Sequence, residues 1–381
     1  MNLTLNRSKF QSKLQACANA LESRTYMDKR DGVLLELRDG FLSMGVANQD
    51  TSIGATMAVE SSKESLLSSA YVPVEKLIQS LKNLKDETVN LVFDGKSLIV
   101  KGKKSRVSLV PYDQSNFIIF NIEDIKLSPL DSDLVRGVIA SRFASTDKDL
   151  RTSAAAVLVR KVDGKVTVLA NDDNSVLCSV FDAQAFPLDS HLFPLKIVDA
   201  LDSAIEASDG GVVSFGRGNN IMMLTVGDEF IIQSRLHSFN PPSIEKVAIK
   251  YCQDDLGSAQ VSLLNRVEFI DAIKLVYPFA ESILQGGVLK TCYFKSSDGS
   301  IAVASGKTAF GDINTELEVE GMKPGVEFCI NSKYMINFLS RVDSEKIAFG
   351  FTERNKPIVL KGEMDGLSYY QVISPIHGRS N

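Results

Sequence analysis

Apolar and polar positions alternate along the chain in short runs, and three of these runs turn at Asp-Gly. The first is Leu35-Glu36-Leu37-Arg38, which turns at Asp39-Gly40 into Phe41-Leu42. The second is Val159 to Val162, turning at Asp163-Gly164 into Lys165-Val166. The third runs from Tyr293 through Asp298-Gly299 to Ile301. Period-2 alternation closed by Asp-Gly predicts a β-hairpin, because a tight two-residue turn needs residues that accept positive φ. The turns lie 124 and 135 residues apart in a chain of 381, close to one third each time. A helical period brackets every turn. Helices are expected over 8–22, 132–145 and 266–281; in the first, Phe10, Leu14, Cys17 and Leu21 make one apolar stripe. A second set is expected to begin near Val72, Phe193 and Ile330, with stripes such as Leu77, Ile78, Leu81 and Leu84. Each second helix leads into another strand pair, at 90–100, 212–224 and 347–360. Two helices and about eight strands, three times over, predict an α+β chain of three tandem domains, each with two helices packed on antiparallel sheet. The expected boundaries are 1–126, 127–250 and 251–381.

Charge adds polarity to this repeat. The net charge is −5, distributed as +2, −4 and −3 over the three thirds. Lys101, Lys103, Lys104 and Arg106 crowd the last strands of the first third, beside Leu109. Glu316, Glu318 and Glu320 sit at period 2 in the last third, on one face of an expected strand. Unlike ends favour head-to-tail association, which closes into a ring when the rotation allows; both runs would also suit solvated strand faces. Cations are scattered thinly over the polar sides of the helices: Lys9 and Lys13, Lys76, Lys82 and Lys85, Arg136 and Arg142, Lys196, Arg266 and Lys274, Lys333 and Arg341. Asp199, Asp202 and Glu206 dilute them. Thin, spread charge suits contact with a phosphate backbone rather than base reading, which concentrates charge on one recognition helix; it would equally suit generic solvated helix faces.

Signatures of catalysis fail one by one. Ser305-Gly306-Lys307-Thr308 resembles the end of a phosphate-binding loop, but Ile301 stands where its first glycine belongs. Phe215-Gly216-Arg217-Gly218 falls in an expected hairpin, with no helix N-terminus behind it. The three histidines are dispersed, so no metal set is expected, and Asn171-Asp172-Asp173-Asn174 reads as a polar turn. Paired carboxylates at the spacing of a two-metal nuclease are missing. The five cysteines are odd in number and far apart, which predicts buried thiols and no disulfide framework. No apolar run approaches a membrane span and Met1 to Phe10 has no signal-peptide core, so a cytoplasmic protein without cofactor, metal or catalytic residue is expected.

The ordered set of local stretches resembles the β subunit of bacterial DNA polymerase III, the sliding-clamp family, along essentially the whole chain. The stretches are Met1-Asn2-Leu3-Thr4-Leu5 through Arg7, Leu14-Gln15, Leu21 and Arg24; Ser141-Arg142-Phe143-Ala144-Ser145 with Lys148-Asp149-Leu150-Arg151; Phe239-Asn240-Pro241-Pro242 to Val247; Phe328-Cys329-Ile330-Asn331 to Leu339; and Tyr369-Tyr370 to Ile376. The resemblance implies a DNA sliding clamp, a processivity factor that encircles duplex DNA. Its implied assembly is a head-to-tail homodimer with helices lining the hole; its implied partners are double-stranded DNA without sequence preference, a replicative DNA polymerase and a clamp loader. DNA contact would fall to Arg24 and Lys148, joined by Lys76, Lys82, Arg136, Lys196, Lys274, Lys333 and Arg341. A pocket for partner peptides would be lined by Ala154, Asn171, Val176, Pro242, Lys246, Val247, Val372, Ser374, Pro375 and Ile376. The subunit interface would pair Lys104, Arg106 and Leu109 with Ile283, Leu284, Glu316, Glu318 and Glu320. The other reading of the same fold is a protein-interaction scaffold that does not encircle DNA. Departures from the family pattern at 171–176 and in the tail from His377 to Asn381 imply a different peptide preference.

Overall fold

In a computed structural model of the chain, the residues described are 2–21, 31–61, 68–119, 124–146, 155–172, 174–236, 245–253, 256, 260–284, 287–307, 311–351 and 356–376. The first third holds β1 (Asn2–Asn6), α1 (Arg7–Ala18), β2 (Gly32–Arg38), β3 (Phe41–Ala47), β4 (Thr51–Ala58), β5 (Glu60–Ser61), β6 (Ser68–Pro73), α2 (Val74–Asn83), β7 (Thr88–Phe93), β8 (Leu98–Lys101) and β9 (Arg106–Leu109). The middle third holds β10 (Ser128–Pro129), α3 (Ser132–Ser141), β11 (Ala156–Val162), β12 (Lys165–Asp172), β13 (Ser175–Asp182), β14 (Ser190–Pro194), α4 (Leu195–Ala207), β15 (Val213–Arg217), β16 (Ile221–Val226) and β17 (Phe230–Arg235). After α5 (Glu245–Gln253) come β18 (Gln260–Asn265), α6 (Arg266–Val276), β19 (Glu281–Leu284), β20 (Gly287–Ser297), β21 (Ser300–Ala304), β22 (Asn314–Glu318), β23 (Glu327–Asn331), α7 (Ser332–Leu339), β24 (Lys346–Phe351), β25 (Ile358–Met364) and β26 (Leu367–Ile373).

The expected α+β repeat is present: helix and three-strand meander recur six times, after α1, α2, α3, α4, α6 and α7. Positive φ at both residues, as a type I′ turn requires, is found at Asp39-Gly40, Asp163-Gly164 and also Asp365-Gly366, whereas at Asp298-Gly299 only the glycine has it. The repeat also shows in a capping device. Asn6 and Asn265 each accept from a backbone amide of the following helix turn. The next residue, Arg7 or Arg266, donates Nε to the Asp86 or Ser344 carbonyl and Nη1 to the Leu81 or Leu339 carbonyl. Arg266 is thus a structural cation rather than one of a loose surface set.

Strand pairing does not stop at the thirds. Contact density divides the chain into two compact units, residues 1–135 with 196–238, and 136–195 with 239–381. In the first unit a five-stranded sheet runs β5-β1-β7-β8-β9, and an eight-stranded sheet runs β10-β15-β16-β17-β4-β3-β2-β6. In the second, an eight-stranded sheet runs β14-β11-β12-β13-β26-β25-β24-β18, and β19-β20-β21-β22 form another with β23 added to β20. Both eight-stranded sheets join halves of different thirds. β17 pairs with β4 antiparallel, Phe230 opposite Ala55 to Ser234 opposite Thr51, and β13 pairs with β26, Ser175 opposite Ile373 to Cys178 opposite Tyr370.

Several expectations need correcting. Three helices end early: α1 stops at Ala18, and α3 and α6 pass into short 3-10 turns at Arg142–Ala144 and Tyr277–Phe279, the latter containing Pro278. The stretch from Glu245 to Gln253, where no helix is expected from the sequence, forms α5. Its Ala248, Tyr251 and Cys252 bury against Val176, Cys178, Val359, Tyr370 and Val372. Its apolar spacing was readable but was masked by the adjoining Pro241-Pro242. Cys178 and Cys252 are joined as a disulfide across 74 residues of sequence, with Cα atoms 6.7 Å apart, so the expectation of thiols throughout fails for this pair. Spacing in sequence carries no sign of a strand and a helix packed face to face. Cys17, Cys292 and Cys329 are buried thiols as expected, and desolvation pushes Cys17 and Cys329 up to about 12 and Cys292 to about 11. Among the described residues no helix is long and apolar enough to cross a membrane.

Candidate functional site

Among the described residues, the two five-stranded sheets each end on a strand with an open side. β9 closes the first, carrying exposed Arg106 and Ser108 outward and Leu109 inward; exposed Lys103 and Lys104 form the turn before it. β22 closes the other, with Glu316 and Glu318 exposed on one face, and Glu316 accepting from Ser300 Oγ. Glu320 lies past the strand rather than on it, since β22 ends at Glu318. Ile283 and Leu284 fall in β19, at the opposite edge of that sheet. The expected basic and acidic runs therefore flank or occupy edge strands, where unpaired backbone groups invite another strand.

The helix cations divide into two classes. Lys76 and Lys82 on α2, Lys274 on α6, Lys333 on α7 and Arg341 just beyond it are exposed. Arg341 lies 4.3 Å over the Phe143 ring and donates to the Asn337 carbonyl, and partial burial lowers its pKa. Arg136 donates Nη1 to the Asp365 carbonyl at 3.0 Å. Lys9 and Lys13 are committed elsewhere. Lys9 pairs with Asp209 at 2.7 Å, while Lys13, 3% exposed, pairs with Glu229 and lies 4.6 Å over the Phe230 ring. The hydrogen bond from Lys9 is the largest cause of the lowered Asp209 pKa. Lys196 is half-buried at the start of α4, and Asp199, Asp202 and Glu206 follow it at helical spacing. Desolvation first, then Glu206 and Asp199, raises the Asp202 pKa, as expected where like charges crowd. A cleft enclosed by α1, α2 and α4 is lined by Gln15, Asn19, Gln79, Lys82, Ser203 and Glu206, neutral amides and hydroxyls outnumbering charges. Arg24 and Lys148 lie outside the described residues.

Of the expected peptide pocket, Val176 and Val372 stand opposite each other on β13 and β26, each 1% exposed. They belong to the core under α5 rather than to an open surface. Ser374, Pro375 and Ile376 are half-buried and tied down by backbone bonds, Ser374 to the Asn174 carbonyl and Ile376 to the Cys329 carbonyl. Asn171 is buried near the end of β12, and Lys246 and Val247 lie in the first turn of α5. Ala154 and Pro242 fall outside the described residues. Behind the same two strands, toward α7, a small cavity is lined by Ser145, Asp172, Ser175, Tyr334, Asn337 and Gln371. There Tyr334 donates to Asp172, and Gln371 donates to Ser175. Ser145 and Asp172 stand in stretches singled out from the sequence, but nothing there brings these six residues to one cavity, because β-strand alternation does not tell which polar residue faces it.

Residues 1–121 match the family model of the DNA polymerase III beta subunit, N-terminal domain, and residues 257–377 match that of its C-terminal domain. The beta sliding clamp of Pseudomonas aeruginosa is 22% identical over 99% of this chain and 100% of its own length. That of Escherichia coli K12 is 20% identical over 98% and 99%. Among solved structures, the DNA polymerase III subunit beta from Pseudomonas aeruginosa superposes with a TM-score of 0.81 at 21% identity, covering 99% of this chain and 100% of the other. The beta subunit from Thermotoga maritima does so at 0.84 and 16%, covering 99% of each.

Proposed function

The chain belongs to the DNA polymerase III beta subunit family, and we propose on that premise that two copies close head to tail into a ring around duplex DNA. It is a DNA sliding clamp, and its work is tethering rather than catalysis. The observation that carries the ring is the fate of the third strand in each meander. Of the six, β4 pairs with β17 and β13 with β26, which leaves β9 and β22. By the same rule β9 of one copy adds antiparallel to β22 of the next, with Arg106, Lys103 and Lys104 brought toward Glu316, Glu318 and Glu320. Repeating that contact by symmetry closes a dimer with no open edge of this kind.

The helices then line the hole, and their thin charge suits a duplex that slides. Lys76, Lys82, Lys196, Lys274, Lys333 and Arg341, with Arg24, Lys148 and Arg136, are the groups for phosphate contact. Cations give affinity without sequence information, because every phosphate is alike. Three domains at 1–126, 127–250 and 251–381 describe the covalent repeat. Partner peptides from a polymerase or clamp loader dock where the ends of β12 and β13, the start of α5 and the segment Ser374–Ile376 converge. That pocket comprises Ala154, Asn171, Val176, Pro242, Lys246, Val247, Val372, Ser374, Pro375 and Ile376. Half-buried Pro375 and Ile376 favour it, since apolar residues held near a surface by backbone bonds suit an apolar anchor. We place the protein in the cytoplasm, where replication partners are available.

Encirclement makes a topological prediction that surface binding does not. Protein loaded on a nicked circle by a compatible clamp loader is expected to stay through gel filtration, and to leave when the circle is cut once. Equal retention before and after linearisation would overturn the ring.

A further inference from the structure

The internal repeat specifies an ion pair between copies that neither half of the chain shows alone. Three positions are equivalent by register: Asn6 stands opposite Thr88 and Asn265 opposite Lys346, while Pro129 opposite Ser214 carries Asp131 to Val212. Asn6, Asp131 and Asn265 are also the residues whose carboxyl or amide oxygen caps α1, α3 and α6. Three residues into each helix from the cap come Lys9, Leu134 and Glu268. Three residues before the opposing strand position come Lys85, Asp209 and Asp343.

Within the chain, α1 faces the loop after α4, and the cap-plus-three residue Lys9 pairs there with Asp209 at 2.7 Å. The ring reading sets α6 of one copy against the loop after α2 of the next in the same relation, because β22 meets β9 as β4 meets β17. The two residues at that place are Glu268 and Lys85, both exposed. Acid and base have exchanged sides. We propose that Glu268 of one copy pairs with Lys85 of the next, and that the inverted polarity selects the correct neighbour.

The selection is a matter of sign. An α1 presented to the loop after α2 of another copy sets Lys9 against Lys85. An α6 presented to the loop after α4 sets Glu268 against Asp209. Both wrong pairings bring like charges together; of the four combinations of α1 or α6 with the α2 or α4 loop, only α1 with the α4 loop and α6 with the α2 loop are attractive, while Asp343, the third loop residue, belongs to the β13–β26 junction already closed within the chain. A chain of three similar domains has many near-equivalent ways to stick to itself, so a charge rule that admits one junction between copies guards against open chains. The proposal rests on the head-to-tail reading above and adds a residue pair to it.

The test is a charge swap read by sedimentation equilibrium at low salt. In the full-length chain, Glu268→Lys and Lys85→Glu are each expected to raise the dimer dissociation constant roughly tenfold, since attraction turns to repulsion at two equivalent contacts. The double variant E268K/K85E is expected to return to within about twofold of the parent, the non-additivity that marks a direct pair. Near 1 M salt the single-variant effects should fade, the Debye length there being about 3 Å. Unchanged melting of the single variants by circular dichroism would exclude misfolding. A parent that is monomeric at all concentrations removes the ring and the pair together. A dimeric parent whose single variants dimerise normally, or whose double variant is as weak as the singles combined, removes the pair alone.

Discussion

The junction strands β4 and β17 and the terminal strands β9 and β22 occupy equivalent places in the repeat but have different fates. β17 lies between β16 and β4 with Phe230 and Ile232 buried, whereas β9 has, among the described residues, β8 on one side only, with Arg106 and Ser108 exposed. Buried pairing inside one chain is bound to folding, because that strand cannot be removed without opening a core. An edge strand that is charged and short can pair or stay free, so its bond can be made and broken while each copy stays folded. The proposed ring, which would have to open to admit DNA, needs weak points of the second kind, and the charges sit at the terminal edges.

The sharpest way to break this contrast is at the sealed strand. Ile232→Ala on β17 is expected to cost about 2–5 kcal/mol of stability through the cavity it leaves, seen as a lower urea midpoint. A loss below about 1 kcal/mol would mean that the junction is no more essential than an edge. The matching change at the open strand is Ser108→Pro on β9, where a proline blocks addition of another strand. Light scattering should then report half the parent mass while the melting temperature stays near the parent's. A dimer that survives this change would place the subunit contact elsewhere.

The smallest effect is expected on α4. Neutralising its acids as D199N/D202N/E206Q should strengthen direct DNA binding by a few-fold in fluorescence anisotropy at low salt, because phosphate no longer meets carboxylate. Asp202 also gives a sign for pH. Its pKa is raised on folding, so the folded state is relatively favoured below the ordinary carboxylate value and loses that advantage as pH rises through the raised one. Asp202→Asn should therefore stabilise at neutral pH and leave stability at pH 3 unchanged. Asp209 works the other way: its lowered pKa gives a contribution present at neutral pH and lost on acidification.

Local chemistry alone determined much of this molecule. Asp-Gly turns, apolar stripes and period-2 runs announced a threefold α+β repeat, because they act through neighbours a few residues apart. The basic run before Arg106 and the acids at Glu316 and Glu318 announced unlike ends for the same reason. Only the tertiary structure decided which strands meet. Nothing local to β4 says that its neighbour is β17, since the backbone bonds that join them are common to all residues. Nothing local to Lys13 says that it is buried against Glu229 and spent on the fold, while Lys82 stays open to solvent. The Cys178–Cys252 bridge, the burial of Val176 and Val372 under α5 and the edge positions of β9 and β22 belong to the same class. They depend on contacts between segments tens to hundreds of residues apart, where side-chain type permits many partners and the packing of the whole chain selects one.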